Sequence, residues 1–237
     1  MLSIKNLTKT YKGSNKGVKN LSLALHEGDI CGFIGANGAG KTTTIKAIVG
    51  IHAFDKGEVK LFDTKLKDDP EKFKAMIGYS PDTPTLYNNM TGKDYIELIA
   101  SLYQMDDKER DKNLAYLLKE LELESAIHEL VSSYSHGMKQ RLVLISLFMH
   151  NPKLIILDEP FVGLDPNATH FLINEMKKRA KEGAIILYST HVLEVAEKVC
   201  NKVVILNKGE VVVNDTMENI IKDTSLNELF RDVTSHA

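Results

Sequence analysis

The stretch Gly35-Ala-Asn-Gly-Ala-Gly40-Lys-Thr-Thr43 constrains this chain more than any other. It follows the apolar run Ile30-Cys-Gly-Phe-Ile34, so a buried strand must hand over to a helix through a glycine-dense loop. Gly35, Gly40, Lys41 and Thr42 meet the pattern G-x-x-x-x-G-K-[ST]. Glycines let the backbone approach phosphate oxygens closely, so that N–H groups from Gly35 through Ala36, Asn37, Gly38, Ala39 and on to Thr43 can point inward. The helix starting at Lys41 adds the positive end of its dipole. Lys41 suits the charge of β- and γ-phosphates, and the Thr42 hydroxyl suits Mg²⁺. A nucleoside triphosphate is the expected ligand.

The rest of the chain supplies layers for such a loop. Leu2-Ser-Ile4 and Leu21-Ser-Leu-Ala-Leu25 alternate as antiparallel strands do, around a turn expected at Lys12-Gly13-Ser14. The helix from Lys41 should close at Gly50, and Gly57–Phe62 alternates again as a strand. From about Pro84 to Met149 the period turns helical. Tyr95, Leu98, Ile99 and Leu102 form one stripe, and Leu114, Leu117, Leu118 and Leu121 another. Leu154-Ile-Ile-Leu157 and Ala184-Ile-Ile-Leu187 are unbroken apolar runs, suited to parallel strands buried on both faces.

Between those two runs Asp165 can cap a helix, with Pro166 at its first position, Lys177-Lys-Arg179 near its end and Gly183 beyond. Asn207-Lys-Gly209 signals a hairpin between Val203–Leu206 and Glu210–Val213. Residues 216–237 read as a polar, helix-permissive tail. The expectation is one α/β domain over residues 1–237. It has a mixed, largely parallel sheet, an N-terminal antiparallel β subdomain and a helical subdomain inserted at about 84–150.

Asp158 and Glu159 end the run Leu154–Leu157, at the strand end where ligands of open α/β sheets bind. Asp158 can reach Mg²⁺ through a water, and Glu159 can orient and deprotonate an attacking water. A second anion site is suggested by Tyr134-Ser-His-Gly-Met-Lys-Gln-Arg141. There Ser135 and Gly137 open a helix that runs through Leu142–Met149 and stops near Pro152.

Taken in order, these segments resemble the ATP-binding cassette (ABC) family. Tyr134–Arg141 is similar to the family's signature motif, usually L-S-G-G-Q followed by Q-R. Gly35–Thr42 then corresponds to the Walker A loop of a P-loop NTPase and Leu154–Pro160 to Walker B. Gly163-Leu-Asp165 resembles the D-loop and His191 the switch histidine that contacts the γ-phosphate. Tyr11 stands where the family places an aromatic against adenine. The resemblance implies ATP and Mg²⁺ as ligands, with Glu159, His191 and Lys41 carrying hydrolysis. It also implies a second ABC ATPase subunit, the same chain or another, packed head to tail so that Ser135 and Gly137 meet the partner's ATP. A separate membrane-spanning permease would then hold the chain at the inner face of the cell membrane.

Two departures from the family pattern are visible. Asp82 follows Pro81 where the family usually has Gln, in a loop that normally senses Mg²⁺ and touches the membrane subunit, so Asp82 is a further candidate for the metal. His136 and Met138 replace the first signature glycine and the Gln. The form Y-S-x-G-M-x-Q-R, with I-G-Y-x-P-[DE] upstream, looks like a bacterial exporter-type branch.

Composition narrows the partners. A net charge of −2 gives no reason to expect nucleic acid, and 43% hydrophobic with 26% charged residues is ordinary for a soluble globular chain. Cys31 and Cys200 have no C-x-x-C spacing and read as buried thiols in a reducing compartment. The opening MLSIKNLTKTYKG lacks an apolar core of signal-peptide length, and Leu142–Met149 is too short to span a bilayer. A cytoplasmic chain is therefore expected, reaching the membrane only through a partner. The competing function is a soluble ABC ATPase serving cofactor assembly or repair. A binding module without turnover fits less well, because Glu159 and His191 are both present.

Overall fold

Strands without a polar face need cover on both sides, and the fold supplies it. The computed structural model describes residues 1–11, 13, 17–83 and 85–235. From the amino end, β1 (Leu2–Thr10) and β2 (Gly17–Leu25) pair antiparallel, and β3 (Ile30–Gly35) leads into α1 (Lys41–Ile48). Next come β4 (Lys56–Leu61), β5 (Thr64–Lys65), α2 (Pro70–Ala75) and β6 (Ile77–Ser80). A helical stretch follows, with α3 (Gly92–Leu102), α4 (Asp107–Glu120) and α5 (His136–Phe148). Then β7 (Leu154–Asp158), α6 (Pro166–Lys181), β8 (Ile185–Thr190) and α7 (Leu193–Val199) alternate. The hairpin β9 (Lys202–Asn207) and β10 (Glu210–Thr216) precedes α8 (Met217–Asp223) and α9 (Leu226–Ser235).

The strands form two sheets. One is antiparallel, in the order β2-β1-β4-β5, and the other is six-stranded, in the order β10-β9-β3-β8-β7-β6. In the second, β10 alone runs antiparallel, at an edge. Every residue of β3, β7 and β8 is buried. Side chains of these strands alternate between two cores. Leu154, Ile156, Ile185 and Leu187 join the antiparallel sheet and α1, while Ile155, Leu157, Ile186 and Tyr188 join the helices of the opposite face. This is the expected α/β architecture.

Some local expectations need correction. Of the turn expected at Lys12–Ser14, Lys12 and Ser14 lie outside the described residues, as does Pro84. The buried face of α3 is Gly92, Tyr95, Ile96 and Ala100, whereas Leu102, expected on the stripe, is 68% exposed. Arg179 does more than complement a helix dipole. It is buried, with Nε 2.6 Å from Glu175 Oε1 and Nη1 donating to Asn151 Oδ1 at 2.7 Å. The segment read as a polar tail forms α8 and α9, with Met217, Ile220 and Leu226 buried and Leu229, Phe230 and Val233 packed on the core. Leu226, Leu229, Phe230 and Val233 fall at i, i+3, i+4 and i+7 and share one face of α9, a stripe that the polar residues around it masked. No helix among the described residues is long and apolar enough to cross a membrane.

Candidate active site

Parallel register brings the chemistry to one end of the six-stranded sheet. Ile34 lies opposite Thr190, Asp158 opposite Ser189, and Ser80 opposite Leu157. The residues that follow these positions therefore emerge together: the loop after β3, Glu159, His191 and the Pro81-Asp82 segment. Crossover connections between parallel strands make this carboxyl edge the place for a ligand.

The loop from Gly35 to Gly40 is held from two sides. Ala39 N–H donates to the Ala36 carbonyl at 3.0 Å, and Gly209 N–H in the β9–β10 turn donates to the Ala39 carbonyl at 2.9 Å. Gly40 caps α1 with φ of 108°, and a Cβ there would sit 2.7 Å from the Gly17 carbonyl oxygen. Only glycine permits both the left-handed backbone and that approach. Lys41 is 7% exposed and donates from Nζ to the Gly35 carbonyl at 2.6 Å. A cavity of about 240 Å³ over the loop is lined by Ala36, Asn37, Gly38, Gly40, Lys41, Thr42, Thr43, Asp82 and Glu159, with Gly17 at its side.

Glu159 occupies the mouth of this cavity. Its Oε1 lies 3.9 Å from Lys41 Nζ, and its Oε2 is 2.9 Å from His191 Nδ1. A carboxylate only accepts, so this contact places the ring proton on Nδ1 and turns Nε2 away from Glu159. Glu159 has φ of 50°, a left-handed backbone that a non-glycine residue adopts at a cost. Ser189 fixes the pair of acids. Its hydroxyl donates to Asp158 Oδ1 at 2.5 Å and accepts from Glu159 N–H at 3.0 Å.

Asp158 is 1% exposed, and its second oxygen, Oδ2, has no hydrogen-bond partner among the described residues. A buried carboxylate oxygen without a donor suits a cation or its hydration shell, and the next residue, Glu159, lines the loop cavity together with Thr42 and Asp82. Among the described residues no cluster of three His, Cys, Asp or Glu exists to hold a metal unaided. A hydroxyl and one or two carboxylates, completed by phosphate oxygens and water, are what Mg²⁺ takes at a nucleotide site. The residues present therefore fit Mg²⁺.

An ABC transporter family model matches residues 18–162, more than half of the chain. The chain belongs to the ABC transporter family. The ABC-type transporter ATP-binding protein EcsA of Bacillus subtilis strain 168 is 38% identical over 239 residues, covering 99% of this chain and 96% of EcsA. A solved ATP-binding subunit of an ABC transporter superposes with a TM-score of 0.93 at 35% identity, covering 98% of each chain. A dimeric ATP-binding cassette in a post-hydrolysis state, bound to ADP and Pi, superposes with a TM-score of 0.81 at 27% identity, covering 92% of this chain and 99% of that one. The ABC match spans the phosphate loop, the signature-like helix and the Asp158-Glu159 pair. Gly163–Asp165 and His191 lie beyond it.

Two expected ABC features stand apart from the loop cavity. Ser135 caps α5, its hydroxyl accepting from Met138 N–H at 3.2 Å, and neither Ser135 nor Gly137 lines the cavity. Tyr11 follows β1, is 36% exposed and is hydrogen-bonded from its hydroxyl to His52 Nδ1 at 3.0 Å, likewise outside the cavity lining. The signature-like helix is instead tied to the D-loop-like segment. Gln140 Nε2 donates to the Val162 carbonyl at 2.9 Å, Arg141 pairs with Asp165, and the His136 ring occupies the space beside Gly163.

Sequence reasoning missed two residues that shape the site, Ser189 and Phe230, and a third, Tyr79, on the strand beside β7. Ser189 could have been suspected as a hydroxyl closing an apolar strand two residues before His191. Tyr79 lies three residues before Asp82 and gave no signal of its own. Phe230 of α9 borders a second opening with Gly35, Ala36, Asn37, Glu159 and His191, and nothing in its local pattern points there.

Proposed function

We propose that this chain binds and hydrolyses MgATP, as one of two ATPase subunits that pack head to tail and drive a membrane transporter whose spanning subunits are separate chains. The observation that carries this reading is the convergence of Lys41, which opens α1, and His191, which follows β8, on Glu159 at the loop cavity. The Lys41 ammonium, resting on the Gly35 carbonyl, would turn to the β- and γ-phosphates. Thr42 and Asp158 would hold Mg²⁺, Asp158 through a water. Bound there, Mg²⁺ would neutralise charge on the phosphate oxygens. Glu159 would take the proton of the attacking water, while His191 orients Glu159 and contacts the γ-phosphate. Tyr11 would lie against the adenine.

Ser135 and Gly137 open a helix whose N-terminus does not line its own subunit's cavity, which supports their use on the partner's nucleotide. The outward direction of transport rests on the form of Ile77–Asp82 and Tyr134–Arg141. Glu159→Gln should slow hydrolysis by about 10²–10⁴-fold while leaving ATP binding intact. This variant should accumulate as an ATP-bound dimer in size-exclusion chromatography at high protein concentration. Adding Ser135→Arg should return it to a monomer. A monomeric Glu159→Gln protein under those conditions, or an undiminished dimer in the double variant, would sink the shared-site reading.

A further inference from the structure

Among the described residues, two side-chain atoms are buried without a hydrogen-bond partner: Asp158 Oδ2 and the Tyr79 hydroxyl. They belong to neighbouring strands and to one face of the sheet. Tyr79 on β6 lies opposite Ile156 on β7, so it is the diagonal neighbour of Asp158, two residues further along. Tyr79 and Ile156 both pack into the core shared with α1, and strand alternation sends Asp158 to that same face. A donor and an acceptor, both left without a partner, thus stand beside the helix that begins with Lys41 and Thr42. Burying either one unpaired opposes folding, so a compensating use is called for.

Resting on the MgATP reading above, we infer that Tyr79 is a positioning residue for the metal, its hydroxyl donating to a water in the hydration shell of nucleotide-bound Mg²⁺, between Asp158 and Asp82. The phenol is suited to donate. Burial, and then the negative charges of Asp158 and Asp82, raise its pKa above the ordinary value and keep the proton in place. Mg²⁺ sheds water reluctantly and is held largely through its remaining waters, so a fixed donor to one of them strengthens the site without direct ligation. Asp82, shorter than the Gln usual at its position, leaves room for such a water.

Tyr79→Phe keeps the ring and removes only the hydroxyl, so it separates metal positioning from packing. Mn²⁺ binding to the ADP-loaded protein, followed by electron paramagnetic resonance, should weaken about tenfold or more. ADP binding in EDTA should not change, and the melting temperature of the nucleotide-free protein should stay level or rise, because an unpaired donor has been removed. Superimposable Mn²⁺ titrations would overturn the inference. So would an equal loss of metal-free ADP binding, or a drop in the nucleotide-free melting temperature large enough to mark a packing defect. If the wild-type protein binds no ADP, the MgATP reading itself falls and takes this inference with it.

Discussion

Lys41 keeps its ammonium in a nearly dry position because the Gly35 carbonyl accepts from it at 2.6 Å and the Ala36 carbonyl lies 3.5 Å away. Those carbonyls hold the side chain where the phosphates are proposed to sit. Replacing Lys41 with Ala should remove a charge-assisted contact worth about 1.5–3 kcal/mol, or roughly 10–150-fold in triphosphate affinity. Titration with a fluorescent ATP analogue reads this directly, and unchanged affinity would overturn the loop assignment. Lys41 was legible in the sequence because it closes a glycine-dense loop at fixed spacing, and Asp158 and Glu159 because they end an apolar run. Ser189 and Tyr79 were not. Their hydrogen-bonding atoms acquire meaning only when parallel register lays β8 and β6 on either side of β7.

At the scale of elements, Asp165 joins two helices. Its carboxylate caps α6 through the N–H groups of Asn167 at 2.9 Å and Ala168 at 3.0 Å, and it also accepts from Arg141 of α5. The Ala168 N–H first, and then Arg141, lower its pKa to about 2. A carboxylate with a depressed folded-state pKa contributes stability that is present above its unfolded value and is lost as pH falls through the folded one. Asp165→Ala should therefore cost about 1 kcal/mol at neutral pH, from the cap. The ion-pair part stays small because the Asp165 side chain is 41% exposed. Urea midpoints of the wild type and the variant should converge between about pH 4 and pH 2, and a constant gap across that range would contradict the assignment. The cap itself was readable from Asp165-Pro166, since local spacing carries that signal. The Arg141 contact was not readable, because it crosses 24 positions of sequence. The stripe on α3 was misjudged for a related reason, since leucines at helical spacing do not reveal which flank of the helix meets the core.

Across the whole molecule, one sheet separates two cores, and α9 seals the end of one of them beside the site. It packs on α7, which follows His191, and on β9, where Asn207 Nδ2 donates to the Val233 carbonyl at 3.1 Å. Leu226, at its start, is fully buried, and Phe230, one turn on, reaches the opening bordered by Glu159 and His191. The α/β layering was legible because the short β-branched runs Leu154–Leu157 and Ala184–Leu187 flank a segment with clear helix caps. The place of α9 was not, since its four apolar residues gain their meaning from a face that distant segments build. Leu226→Ala should destabilise the protein by about 2–5 kcal/mol, the cost of a cavity at a fully buried leucine. Loosening α9 should also let His191 shift relative to Glu159. Turnover should then fall more than ATP affinity, because Lys41 and Thr42 line the loop cavity and Phe230 does not. Urea denaturation checks the first effect, and steady-state kinetics beside equilibrium ATP binding checks the second. A variant that unfolds at the wild-type midpoint would mean that α9 is not anchored at Leu226. One that loses stability but keeps its full turnover would show that the helix closes the core without steadying the histidine.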